Sequence, residues 1–189
     1  KYKFGIDILE DKVIYVQGIG NVGEALVENL SNEGAKVYIA DINQDRLEEV
    51  RDKYSVNIYG GDNIYAEEMD IYAPCALGAT VNDFTINQLN TKIIAGAANN
   101  QLAEEQKHGK MLRERGIVYA PDFLINAGGI INVYAELENY DRKEIMRKTE
   151  NIYNTTLEIL KKADADNITT HQAAFNVAQA RIDARKNEK

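Results

Sequence analysis

The chain has 189 residues, 44% of them hydrophobic, with 30 acidic against 22 basic side chains and a formal charge of −8. That length suits one domain with its own core, and the acidic surplus disfavours nucleic acid or an anionic membrane as partner. No apolar run approaches a membrane span, the single cysteine, Cys75, excludes an intramolecular disulfide, and Lys1 to Gly5 lacks signal-peptide character, so a cytoplasmic location is expected.

The first strand is predicted at Val13 to Val16, and it runs into Gly18-Ile-Gly20-Asn21-Val22-Gly23. In such a turn the first glycine allows the tight strand-to-helix bend and the second lets a pyrophosphate approach the backbone. The third permits close helix packing. The helix expected from about Asn21 to Glu33 would direct unpaired amides and a positive dipole end at that anion. A second strand, Lys36 to Ala40, ends at Asp41, at the spacing of a carboxylate that accepts hydrogen bonds from an adenosine ribose and repels a 2′-phosphate. The expected cofactor is therefore NAD, bound through Gly18, Gly20, Asn21, Val22, Gly23 and Asp41. Arg46, on the helix opening at Asn43-Gln44-Asp45, is expected in a solvated surface pair.

Further strands are predicted at Asn57 to Tyr59, Asp70 to Ala73, Lys92 to Ala95 and Ile117 to Tyr119, with helical or mixed segments between most of them. Near-continuous apolar runs suit parallel strands covered on both faces. The fold class is α/β, a Rossmann-type doubly wound, mostly parallel sheet of about six strands in the order 3-2-1-4-5-6, with a C-terminal helical segment from about residue 128. Ligands of such sheets lie at the carboxyl ends of the strands. Besides the glycine turn, those ends carry Pro74 to Ala79 and Gly96 to Asn100. Helices are expected at Lys143 to Lys162 and Thr170 to Arg185, before a frayed Lys186 to Lys189.

After Pro121, the segment Asp122-Phe-Leu-Ile-Asn126-Ala-Gly128-Gly129-Ile130-Ile131-Asn132-Val133 puts paired glycines after an amide and apolar residues after the glycines. That pattern suits either a helix start over a packed core or a ligand wall. Asn99 and Asn100 strengthen the ligand reading, because amides at a strand end orient polar groups without adding charge.

No catalytic group is identified in this chain. Lys12, Lys36 and Lys92 stand at the N-terminal ends of strands, opposite the ligand edge. His108 and His171 lie in polar, helical surroundings with no second ligand at metal spacing, so no metal site is expected. Cys75 has no base beside it and is assigned to packing. The 11 tyrosines are dispersed, so no aromatic cradle is expected.

Gly18 to Gly23, Ala73-Pro-Cys-Ala-Leu-Gly-Ala79, Ile94-Ala-Gly-Ala-Ala-Asn-Asn-Gln101, Gly116-Ile-Val-Tyr-Ala-Pro-Asp122 and Asn126-Ala-Gly-Gly-Ile-Ile-Asn-Val133 together resemble the glutamate/leucine/phenylalanine/valine dehydrogenase family, its leucine branch most closely. The resemblance spans essentially the whole chain in motif order. It departs at Tyr134-Ala135-Glu136, where the leucine branch usually has Ala-Asp-Glu, and at Glu104 to His108, one residue longer than usual. It implies NAD-dependent oxidative deamination of L-leucine and other branched-chain amino acids to 2-oxo acids and ammonium. Cys75, Ala76, Leu77 and Gly78, with Ala97, Asn99 and Asn100, would line the nicotinamide half of the cofactor. Asn126 would hold substrate beside the cofactor, and Ile130 and Val133 would contact the substrate side chain.

Residues 1–189 would then be the NAD-binding domain. The N-terminal catalytic domain of the family, with its acid/base lysine, would be absent, and the chain is expected to be a piece of a longer protein, inactive alone. Homo-oligomerisation would rest largely on that absent domain. The alternatives are a phenylalanine or valine dehydrogenase, or a free-standing NAD-binding regulatory module without catalysis.

Overall fold

The computed structural model describes residues 1–138 and 140–187. Its centre is a parallel sheet of β1 (Val13–Gln17), β2 (Lys36–Ala40), β3 (Asn57–Ile58), β4 (Glu68–Pro74), β5 (Asn90–Ile94) and β6 (Val118–Tyr119). The strand order is β3-β2-β1-β4-β5-β6, as expected for a doubly wound dinucleotide fold. Crossovers are made by α1 (Asn21–Asn32), α2 (Gln44–Tyr54), α3 (Asp83–Gln88) and α4 (Glu105–Glu114), and a 3-10 turn at Ile64–Ala66 precedes β4. The order reverses between β1 and β4, so the crevice at their carboxyl ends is the natural ligand position.

Successive residues of the central strands serve opposite faces. In β1, Ile14 and Val16 pack with Val27 and Leu30 of α1 and with Leu47 and Val50 of α2. Tyr15, between them, joins Tyr72, Ile86, Leu112 and Tyr119 on the other face. Burial on both faces explains why these strands read as continuous apolar runs. In α1, Gly23, Val27 and Leu30 are the buried positions, spaced to form one stripe against the sheet. Asn43 starts α2 by accepting the Arg46 amide on its side chain, and Ser55, at φ +55, ends it.

The tyrosines, dispersed along the sequence, are not all dispersed in space. Tyr15 and Tyr38 stack with ring centroids 4.7 Å apart, and Tyr59 meets Tyr15 edge-on at 5.5 Å. Tyr15 is the register partner of Tyr38 on one side and of Tyr72 on the other. Pairing of parallel strands thus assembles tyrosines that are well separated along the chain.

The helical segment begins at α5 (Asp122–Ile125), earlier than expected, and continues as α6 (Gly128–Glu138), α7 (Arg142–Ala165) and α8 (Thr170–Asn187). Ile159 and Ala163 of α7 pack on Ala173, Ala174 and Val177 of α8 in a separate small core. Lys186 and Asn187 belong to α8, while Glu188 and Lys189 of the expected frayed end lie outside the described residues. Among the described residues no helix is long and apolar enough to cross a membrane.

Candidate cofactor and substrate site

The three glycines after β1 meet three different environments. Gly18 adopts φ +98, and a Cβ on it would lie 2.5 Å from that of Ala76. A Cβ on Gly23 would lie 2.1 Å from the Gly18 carbonyl oxygen, so α1 sits too close to the turn for any side chain. Around Gly20 a Cβ would meet nothing within 4 Å. Gly20 is also the N-cap of α1 and has no side chain to cap the first turn, where Asn21 and Val22 are exposed. An open approach to uncapped helix amides fits a phosphate group.

Asp41, at the end of β2, is drawn toward this turn. Its Oδ2 accepts the Ile19 amide at 2.8 Å and its Oδ1 the Asn43 amide at 3.0 Å. Each carboxylate oxygen keeps acceptor capacity for a hydroxyl donor. Beside it opens a cavity of about 650 Å³, whose lining includes Gly18, Asp41, Tyr59, Asp62, Leu77 and Thr80 and, among the described residues, no lysine, arginine or histidine. Tyr59 and Asp62 carried no recognisable signal in the sequence.

Arg46 departs from its expected solvated pairing. Its guanidinium binds Glu24, whose side chain is 15% exposed, and Glu49 at 2.6 Å, while Nε donates to the Ile19 carbonyl at 3.5 Å. Glu24 also accepts from Lys53 at 2.9 Å and from Tyr54 at 3.1 Å, and these bonds hold its carboxyl below the usual range. The result is a half-buried clamp between α1 and α2.

Across the switch point the loops after β4 and β5 fold onto each other. The Cys75 amide donates to Gln17 O at 2.7 Å, and its Sγ accepts the Ala97 amide at 3.5 Å. Burial pushes the Cys75 thiol up, which fits packing and not nucleophilic chemistry. A Cβ on Gly78 would lie 2.8 Å from the Asn99 carbonyl oxygen, and one on Gly96 would lie 2.2 Å from that of Pro74. Ala79 donates to Asn100 O at 2.7 Å, with both residues at positive φ. Ala76, Leu77, Asn99 and Asn100 are left exposed at the crevice, with Ala97 half-buried below.

Asn126, at the end of α5, donates from Nδ2 to Asn99 Oδ1 at 2.6 Å, so the structure joins two amides that the sequence selected separately. Ile130 and Val133 follow on α6, 71% and 60% exposed, and Leu137 continues their stripe at 74%. They form an open apolar wall. Sequence reading missed a buried pair at the start of α5, in which Asp122 Oδ2 accepts the Gln101 amide at 3.2 Å.

The excluded groups stand mostly where expected. Lys36 pairs with Asp11 at 2.8 Å and Lys92 with Asp70 at 2.7 Å, while Lys12 lies over the Phe4 ring, all at the opposite edge of the sheet. The histidines need correction. His108 is 1% exposed, and the ligand atoms of Asp83 and Glu104 approach its ring, because α4 packs against α3. Its Nδ1 accepts the Glu104 amide at 2.8 Å, which leaves the proton on Nε2 facing Asp83 at 3.4 Å. A metal-binding imidazole needs the reverse arrangement, with the distal nitrogen donating. His171 is also shielded, against Phe123 and Phe175 and 3.0 Å from Glu105.

Comparisons with known proteins agree with this architecture. Leucine dehydrogenase of Bacillus cereus is 48% identical over all 189 residues, and phenylalanine dehydrogenase of Bacillus thermotolerans is 44% identical over 187 residues, 96% of the chain. The crystal structure of L-tryptophan dehydrogenase from Nostoc punctiforme superposes with a TM-score of 0.94 over 98% of the chain at 40% identity. The matched regions are 51%, 49% and 55% of those proteins, so the chain spans about half their length. A sequence model of Glutamate/Leucine/Phenylalanine/Valine dehydrogenase matches residues 38–189, and with relatives of this identity the chain belongs to that family of amino-acid dehydrogenases.

Proposed function

We propose that this chain binds NAD in preference to NADP, as the coenzyme-binding half of a dehydrogenase that oxidatively deaminates leucine and other branched-chain amino acids. The observation that carries the cofactor choice is Asp41 beside a cavity that, among the described residues, no cation lines. A ribose diol can donate to that carboxylate, whereas a 2′-phosphate would meet like charge with no positive partner. The open face of Gly20 and the uncapped start of α1 receive the pyrophosphate.

NAD, when bound, supplies the acceptor for the hydride leaving the amino acid Cα. Asn99 and Asn126 hold the amide end of the site in one orientation, and the Cys75–Ala79 loop closes its floor. Ile130 and Val133 present an apolar surface to the substrate side chain. A glutamate carboxylate placed there would lose hydration without a polar partner, which is unfavourable by several kcal/mol as an order of magnitude. The acid/base lysine is assigned to the complementary half, which also provides most homo-oligomer contacts. The unpaired Cys75 is compatible with a reducing, cytoplasmic setting.

A phenylalanine substrate is the second reading, favoured by the openness of the wall and by the 44% identity to a phenylalanine dehydrogenase. Calorimetric titration with NADH and NADPH tests the cofactor claim, and NADPH binding as tight as NADH would refute it. Joined to its complementary half, the enzyme should turn over leucine with a higher kcat/KM than phenylalanine. The reverse order would select the second reading.

A further inference from the structure

We propose that Asp122 is a positioning residue for the nicotinamide side of the site, acting through the loop between β5 and α4; this rests on the NAD-binding reading. Asp122 is 8% exposed, and among the described residues no lysine, arginine or histidine lies within ion-pair distance of it. A buried carboxylate without a cation is unfavourable unless hydrogen-bond donors replace water. Here backbone amides do so. Oδ1 accepts the Phe123 amide at 2.9 Å, and Oδ2 accepts the Gln101 amide at 3.2 Å.

The residue so held is the foot of the loop. Gln101 is fully buried and its Nε2 donates to the carbonyls of Gly96 at 2.7 Å and Ala98 at 3.0 Å. The side chain thus fixes the loop from inside, and Asp122 fixes its main chain. Asn99, two residues before Gln101, is presented to Asn126. Asn126 in turn donates its amide to the Asp122 carbonyl at 3.0 Å. Both asparagines are therefore referenced to one residue. Tyr119 supports it from below, its hydroxyl accepting the Asp122 amide at 3.3 Å. Two amide donors point at two carboxylate oxygens, and an asparagine could accept only one of them through its carbonyl oxygen.

The test compares Asp122→Asn with the wild-type chain for binding of NADH and of ADP, which occupies only the adenosine and pyrophosphate side. The substitution should weaken NADH about tenfold, as expected for loss of a charge-assisted buried hydrogen bond, and leave ADP within about twofold. Equal losses for both ligands would reveal a purely structural residue, and no loss for either would show that the loop is set elsewhere. Either result overturns the inference. Should Asp122→Asn fail to fold, Tyr119→Phe decides: the same split at about threefold supports the proposal, and equal or absent losses overturn it. A wild-type chain that binds neither ligand removes the cofactor reading and this inference with it.

Discussion

Asn126 Nδ2 and Asn99 Oδ1 lie 2.6 Å apart, joining the end of α5 to the loop after β5. In a parallel sheet these segments leave neighbouring strands, so the bond closes the crevice at the end that the proposed function gives to the nicotinamide. A double-mutant cycle of Asn99→Ala and Asn126→Ala, read in NADH affinity, should give a coupling energy of about 0.5 to 1.5 kcal/mol. Strict additivity would mean that each amide works alone.

The glycines separate folding from binding. Gly20→Ala enters open space and should leave thermal stability nearly unchanged while weakening NADH strongly, because the new methyl stands where the proposed function places the pyrophosphate. Gly23→Ala would press on the Gly18 carbonyl and should destabilise the chain itself by about 1 to 3 kcal/mol. Denaturant midpoints measured alongside NADH titrations check both. A large stability loss from Gly20→Ala would be inconsistent with the cradle described.

Cofactor preference should resist a single change. Asp41→Ser removes the repulsive carboxylate, but Arg46, the cation next to Ile19, remains held by Glu24 and Glu49. The NADPH-to-NADH affinity ratio should therefore rise less for Asp41→Ser than for Asp41→Ser combined with Glu24→Gln. Equal ratios in the two variants would show that Arg46 cannot serve the 2′ position.

Acid stability should depend on Asp70. Burial works to raise its carboxyl, but hydrogen bonds from Lys92 and from the Val13 amide outweigh that and keep it below the usual carboxylate value. A depressed carboxyl contributes stability that is full above its unfolded pKa, about 3.9 for aspartate, and is lost as pH falls through the lower folded value. Asp70→Asn should thus flatten the acid limb of a stability curve measured in urea between neutrality and about pH 3. An unchanged limb would place the acid-sensitive contact elsewhere.

Strand positions and order were legible because strands buried on both faces spell continuous apolar runs, and because the turn of Gly18 to Gly23 marks the first strand of a known topology. Gly18 and Gly23 were legible for a related reason: each leaves no room for a side chain against a neighbouring segment, whereas Gly20 faces open space. Contacts between residues far apart in the chain were not. Glu24 meets Arg46 across 22 residues and Gln101 meets Asp122 across 21, and no local pattern announces either pair. His108 was read as lying in polar surroundings because its neighbours in sequence are polar, yet α4 turns it toward α3. The tyrosine stack arises from strand register alone.

Substrate selection should reside in the open stripe of α6. Ile130, Val133 and Leu137 are spaced to share one helix face and are all more than half exposed, so this chain supplies one wall and the remainder must come from whatever covers it. Val133 lies on the helix that follows Asn126, which the proposed function places at the common end of every amino acid substrate. Changing Val133 to Leu adds one methylene to the wall and removes room for the substrate side chain. Misfit of that size shifts discrimination by about 1 to 3 kcal/mol, so in the complete enzyme kcat/KM for leucine should fall relative to valine by roughly 10- to 100-fold. Asn126→Ala should instead lower both substrates by the same factor. A leucine-to-valine ratio that ignores Val133→Leu but responds to Asn126→Ala would reverse the two assignments and move the specificity pocket away from α6.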